Sequence, residues 1–191
     1  MIVAQSLIAA WLVLQIAPLR SLPTGVPVLA AITAALLVQV PFADGLSAAM
    51  ALRGLIGDPS ITTVQWLALS LVGRTPAAVS RGWVAPMAIL LLGLLLYPAA
   101  LGAIDMDTYR VGYQPALLIT LLALPALAAW ARGQALYLWL LGIDLLAFAA
   151  GLPESANLWD SLIDPLLFVA ALVLLIRYAV RHLRSRAPHD H

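Results

Sequence analysis

Five of the nine acidic side chains of this chain gather in two places, and those places carry much of its candidate chemistry. Residues 151–165, GLPESANLWDSLIDP, hold Glu154, Asp160 and Asp164 beside Asn157 and Ser161. If 154–164 is helical, these five share an arc of about 120° at 100° per residue, with Trp159 and Ile163 turned away. Carboxylates beside amide and hydroxyl oxygens are the ligands that a hard divalent cation takes. The same groups suit general acid–base work. A structural reading stands beside the chemical one. Asp164 can cap a helix, Trp159 can anchor at a membrane interface, and Glu154 and Asp160 can be solvated loop acids.

The second cluster is IDMDTYRVGYQP, residues 104–115, with Asp105, Asp107, Tyr109, Arg110 and Tyr113. Asp105, Asp107 and Asp160 are the candidate catalytic acid–base groups. Arg53 and Arg110 are the candidate grips for a phosphate or carboxylate, because a guanidinium offers such groups a planar pair of donors. Glu154 and Asn157 complete the candidate binding set at this face. Ion pairing of the two arginines with Asp105, Asp107, Asp160 or Glu154 is the structural alternative, and the tyrosines double as interface anchors.

Asp144 lies inside LYLWLLGIDLLAFAAGL with no basic neighbour in the segment. An ionisable group there costs about 2.5–3.5 kcal/mol on insertion scales and marks a functional candidate. At 1.5 Å per residue it sits about 10 Å from Gly151, and Gln65 and Tyr97 lie about 9 Å from the same ends of their own segments. The three are expected either to line an outward-facing polar pocket, with Gln39 at its rim, or to join helices by hydrogen bonds.

The elements that hold these residues are set by composition. The chain has 191 residues, 63% of them hydrophobic and 10% charged. Soluble domains carry roughly 25% charged residues, so lipid is the expected solvent. There is no cysteine, which excludes disulfides and thiolate chemistry. All ten basic side chains are arginine, which excludes Schiff-base lysines. The lysine-free, Ala/Leu/Arg-rich composition points to a bacterial protein of high genomic GC content. Met1 opens an apolar run with neither a basic leader nor a small-residue cleavage site, so this first segment is expected to stay as an anchor.

The expected fold class is all-α, a polytopic transmembrane bundle in a single domain over 1–183, followed by a basic, His-rich tail at 184–191. Apolar segments at 2–19, 26–42, 60–73, 84–103, 115–131, 135–151 and 165–183 are the expected spans, with 60–73 the shortest and six spans the alternative to seven. Residues 45–57 are too short to span and read as an interfacial or re-entrant helix. With seven spans and the N-terminus outside, eight of the ten arginines lie inside and seven of the nine acids outside, as the positive-inside rule favours. Asp58–Pro59 and Asp164–Pro165 each read as N-cap followed by N1, and Gln114–Pro115 as a further helix start. All three fall on the outer side and present positive dipole ends there. Pro86, Pro98 and Pro125 lie within spans and suggest kinks. The basic tail RHLRSRAPHDH is expected at the acidic inner surface of the membrane.

Residues 52–62, LRGLIGDPSIT, resemble the Arg-x-Asp-x-Ser stretch in the membrane portion of lipoteichoic-acid-synthase-like phosphoglycerol transferases. The likeness is confined to that stretch and does not extend to the family's soluble catalytic domain. It implies a lipid or cell-envelope context.

No phosphate-binding loop, HExxH, nucleophile elbow or nucleic-acid-binding pattern is present. Three functions are therefore expected to compete. One is an inner-membrane accessory or scaffold subunit of an envelope or lipid-processing system. Another is a small enzyme acting on a lipid-linked or phosphorylated substrate at the outer face. The third is a proton-coupled carrier using Asp144. The expected partners are membrane lipids and a protein of a membrane complex, with no nucleic acid. No resident cofactor is expected beyond a divalent cation at the outer acids.

Overall fold

The computed structural model describes residues 2–23, 25–72 and 82–186. Among these described residues the structure is all-α apart from one short hairpin. It forms two compact units, Met1–Arg74 and Thr75–His191. Arg74, Arg81 and the His-rich end at 187–191 lie outside the described residues.

In the first unit, α1 (Ile2–Leu14) packs along α3 (Gly25–Leu37) and α5 (Ile61–Leu71). The segment expected to run unbroken over 2–19 stops at Leu14, and a one-turn helix, α2 (Ala17–Arg20), follows. Pro18 explains the break: it has no N–H for the Leu14 carbonyl, so it belongs in a new first turn. Trp11 and Trp66 meet at 5.7 Å between ring centres and join α1 to α5.

Residues 41–47 form a hairpin that the sequence reading did not anticipate. Strands β1 (Pro41–Ala43) and β2 (Leu46–Ser47) pair antiparallel across Asp44–Gly45. Both turn residues have positive φ, 44° and 80°. That is the two-residue turn for which Asp-Gly is the strongest short signal. Ser47 then caps α4 (Ala48–Ile56), accepting from the Met50 N–H at 3.2 Å. The expected short helix within 45–57 is thus present, preceded by a strand.

In the second unit, α6 (Val84–Ala100) packs on α10 (Pro165–Arg186), and α7 (Pro115–Ala131) packs on α8 (Leu136–Ala149). A 3-10 turn, Tyr109–Tyr113, and the short α9 (Leu158–Leu162) lie at their ends. The core beneath is Leu96, Leu118, Leu158, Trp159 and Ile163. Gly93 lets α10 approach α6, because a Cβ there would collide with the Phe168 ring.

Helices α6, α7 and α8 end alike. Gly102, Gly133 and Gly151 take φ of 71°, 79° and 68°. The next residue's N–H returns five residues to Pro98, Ala129 and Ala147 at 2.8–3.1 Å. A left-handed glycine with that 6→1 bond terminates a helix and satisfies its last carbonyls.

Among the described residues, α10 is the helix long and apolar enough to cross a membrane by itself. The other apolar helices, α1, α3 and α5–α8, run from 11 to 17 residues.

Candidate functional site

The polar residues of the second unit converge where the 101–114 connection meets 152–164. Asp107 initiates the first connection: its Oδ1 accepts the Arg110 backbone N–H at 3.0 Å and starts the 3-10 turn. Asn157 initiates the second. Its Oδ1 accepts the Trp159 N–H at 2.9 Å and caps α9. Ile163 is extended, and Asp164 then caps α10 by accepting the Leu167 N–H at 2.7 Å.

Three side-chain bonds join the two connections. Tyr109 Oη donates to Asp160 Oδ2 at 2.8 Å. Asn157 Nδ2 donates to the Tyr109 carbonyl at 2.9 Å. Trp159 Nε1 donates to the Thr108 carbonyl at 3.1 Å. Thr108 Oγ1 in turn donates to the Leu95 carbonyl of α6 at 3.2 Å. Asn157 is 0% exposed, so both its bonds are made away from solvent. Gly112 is required at this point, because a Cβ would occupy the place of the Asn157 amide and the Trp159 ring. Tyr113 closes the group by an edge-to-face contact with Tyr109 at 6.0 Å.

Burial, together with donation to Asp160, raises the Tyr109 phenol above its ordinary value. Both causes favour the neutral phenol: burial penalises phenolate, and phenolate would confront the Asp160 carboxylate. Tyr109 is thus a fixed donor across the physiological range.

Several expectations change in three dimensions. The five-residue polar stripe requires a helix over 154–164, but α9 covers Leu158–Leu162. Asn157 takes an extended cap conformation and Ile163 an extended one, so the stripe is broken at both ends. Trp159, expected at the interface, faces the core at 6% exposure, and Ile163 joins it there at 5%. Glu154 is exposed in the loop, apart from the buried Asn157. Asp105 is exposed and Asp107 serves as a turn cap. Arg110 meets Asp107 through its backbone N–H and keeps its side chain exposed.

Arg53 pairs with Asp58 at 3.0 Å, a partner outside the expected set and in the first unit. Asp58 also accepts from Gln5 Nε2 at 3.1 Å. The cap expected of Asp58 is made by Ser60, whose Oγ accepts the Thr63 N–H at 3.1 Å. Gly57, at φ 76°, turns the chain back after α4, so the Asp58 carboxylate returns to Arg53 and the cap passes two residues on. The Asp164 cap and the Pro115 start stand as expected.

Asp144 is 2% exposed within α8. Tyr97, in the same unit, packs edge to face on Phe168 at 5.4 Å. Gln65 lies on α5 of the other unit. Gln39 donates to Ser6 Oγ at 2.9 Å, and Ser6 donates to the Ala35 carbonyl, a tie between α1 and α3. Gln5, 2% exposed, was missed by the sequence reading. Its signal was available, since Gln-Ser interrupts an otherwise apolar helix. Among the described residues no group of three or more His, Asp or Glu is placed to hold a metal ion.

Comparison with protein-family models, with curated proteins and with solved structures gave no match.

Proposed function

We propose that this chain is an integral inner-membrane protein of seven spans, with the N-terminus outside and the C-terminus cytoplasmic. In this reading it is an accessory or scaffold subunit of a cell-envelope or lipid-processing system. The observation that carries the scaffold reading is the tie between 108–109 and 157–160. Asp160, the candidate acid–base group, and Asn157, a candidate binding residue, are each committed to holding one connection against the other, with Trp159 beside them. The result is a rigid outer rim on a bundle, which is what a partner protein needs. The membrane reading is supported by the large apolar side chains that the helices turn outward, such as Leu121, Leu124, Trp139 and Leu146, at 55–71% exposure. Lipid covers such surfaces at no cost in desolvation. At 17 residues, α6 and α7 reach the lower end of spanning length.

The test has two parts. After alkaline carbonate extraction the full chain should remain in the membrane pellet. Alkaline phosphatase inserted at 105–107 should be active, and a C-terminal fluorescent protein should fluoresce. Recovery in the soluble fraction removes the membrane reading. For the scaffold, the assembly that co-purifies with the chain should keep its activity with Asp105→Asn, Asp107→Asn or Asp160→Asn. Loss of activity in an intact assembly turns the reading to an enzyme acting at the outer face. A second reading, a proton-coupled carrier, starts from an ionisable Asp144 in the middle of an apolar helix, although its 2% exposure counts against the water path that a carrier needs. It requires that Asp144→Asn abolish pH-driven uptake in proteoliposomes.

A further inference from the structure

The last turns of α10 combine charge and apolar surface in separate rows. Ile176, Val180 and Leu183 recur at i, i+4 and i+7 and form one exposed apolar row, with Leu183 at 68% exposure. Arg177, Arg181 and Arg184 have the same spacing one residue on and form a second exposed row, rotated by about 100°. Tyr178 and His182 stack with ring centres 6.1 Å apart in the row beyond. No acid occurs between Pro165 and Arg186 to neutralise the arginines. None of the three guanidinium groups makes an ion pair among the described residues.

Position along the helix adds the second argument. Counted from Pro165 at 1.5 Å per residue, Arg177, Arg181 and Arg184 stand at about 18, 24 and 28 Å. The hydrocarbon layer is about 30 Å thick. The row therefore climbs from the inner half of that layer to its far boundary. Arginine is tolerated there when its apolar stem lies along the helix and its head reaches the phosphates. A guanidinium holds a phosphodiester with two parallel bonds. The apolar row beside it stays among acyl chains, as in an interfacial amphipathic helix.

We infer that the Arg177–Arg181–Arg184 row is a binding surface for anionic phospholipid headgroups of the cytoplasmic leaflet. This rests on the membrane reading above and adds a lipid class to it. The row draws phosphates towards the helix and adds to what fixes the depth of α10, which already packs on α6.

The test uses the full chain purified in detergent, with phosphatidylglycerol and phosphatidylcholine of the same acyl chains as probes and native mass spectrometry as readout. At ~1 kcal/mol per arginine beside an anionic surface, the three together favour phosphatidylglycerol by up to about a hundredfold. The triple variant R177Q/R181Q/R184Q should bring the two lipids near parity. The triple lysine variant should keep most of the preference, since charge remains and only the fork geometry is lost. Equal retention of both lipids by the unaltered chain, or an undiminished preference in the glutamine variant, overturns the inference. Loss of an acidic protein partner with the lipid preference intact overturns it in favour of a protein interface. Should the glutamine variant not fold, salt decides on the unaltered chain. Raising NaCl from about 0.05 to about 0.5 M must weaken phosphatidylglycerol retention by screening, and salt-independent retention overturns the inference. A chain that stays in the carbonate-washed pellet but shows no lipid preference loses this inference alone, and the membrane reading stands.

Discussion

Replacing Asn157 by alanine removes a single side chain that closes two structures at once. The Trp159 N–H loses its cap acceptor and the half-buried Tyr109 loses the donor to its carbonyl, both from an Asn157 side chain at 0% exposure. Loss of an Asn cap costs about 1 kcal/mol, and leaving a buried carbonyl without a partner costs about 1–3 kcal/mol. The two losses together come to about 2–4 kcal/mol. For a chain of this size each kcal/mol moves Tm by roughly 2–4 °C, so Asn157→Ala should melt about 4–16 °C below the parent. Asn157→Asp separates the two contributions. Its carboxylate still accepts from Trp159, but its second oxygen faces the Tyr109 carbonyl with no hydrogen to offer. It should therefore be destabilised at neutral pH and recover as acid protonates it and restores a donor. The assay is thermal unfolding in detergent followed by intrinsic tryptophan fluorescence, with exposed Glu154→Gln as control. An alanine variant that melts with the control, or an aspartate variant as stable as the parent at neutral pH, would refute the hydrogen-bonded tie as a source of stability.

Other consequences follow from neighbouring contacts. The Tyr109 phenol is raised above its unfolded value of about 10. Its neutral form therefore contributes a stability that is fully present below that pH and is lost as pH rises above it. Unfolding profiles of the parent and Tyr109→Phe should run parallel below pH ~10 and converge above it, and parallel curves throughout would contradict the assignment. Gly112→Ala and Gly93→Ala place a methyl into Asn157 with Trp159 and into Phe168, so both should lower Tm. Gly142→Ala in α8 meets nothing within 4 Å and should gain about 0.5–1 kcal/mol from helix propensity, a contrast read in one melting series. Gln5→Ala should destabilise the first unit more than Arg53→Ala, because Gln5 is 2% exposed and the Arg53 side chain 42%. An exposed ion pair contributes only about 0–1 kcal/mol, and the reverse order in unfolding experiments would contradict this account of Asp58.

Much of the secondary structure was legible because single residues with strong backbone preferences mark it. Pro115 and Pro165 begin helices where a missing N–H costs nothing. Gly102, Gly133 and Gly151 end them where positive φ is needed. Asp44–Gly45 carried an equally plain turn signal, overlooked beside the long apolar runs. The site was less legible because its bonds span large separations in sequence. Nothing local says that Tyr109 will reach Asp160, or that Gln5 will reach Asp58. A helical wheel treats every carboxylate on one face as available, while the fold commits Asp160 to Tyr109 and Asp107 to a backbone N–H.

The length of the apolar segments and the proline and glycine that punctuate them determined in the sequence that this chain would be helical. Tertiary structure decided which polar residues hold the 101–114 and 152–164 connections together and which remain exposed. Hydrogen bonding depends on distance in space, and the pairs that meet here are 48 to 53 residues apart along the chain.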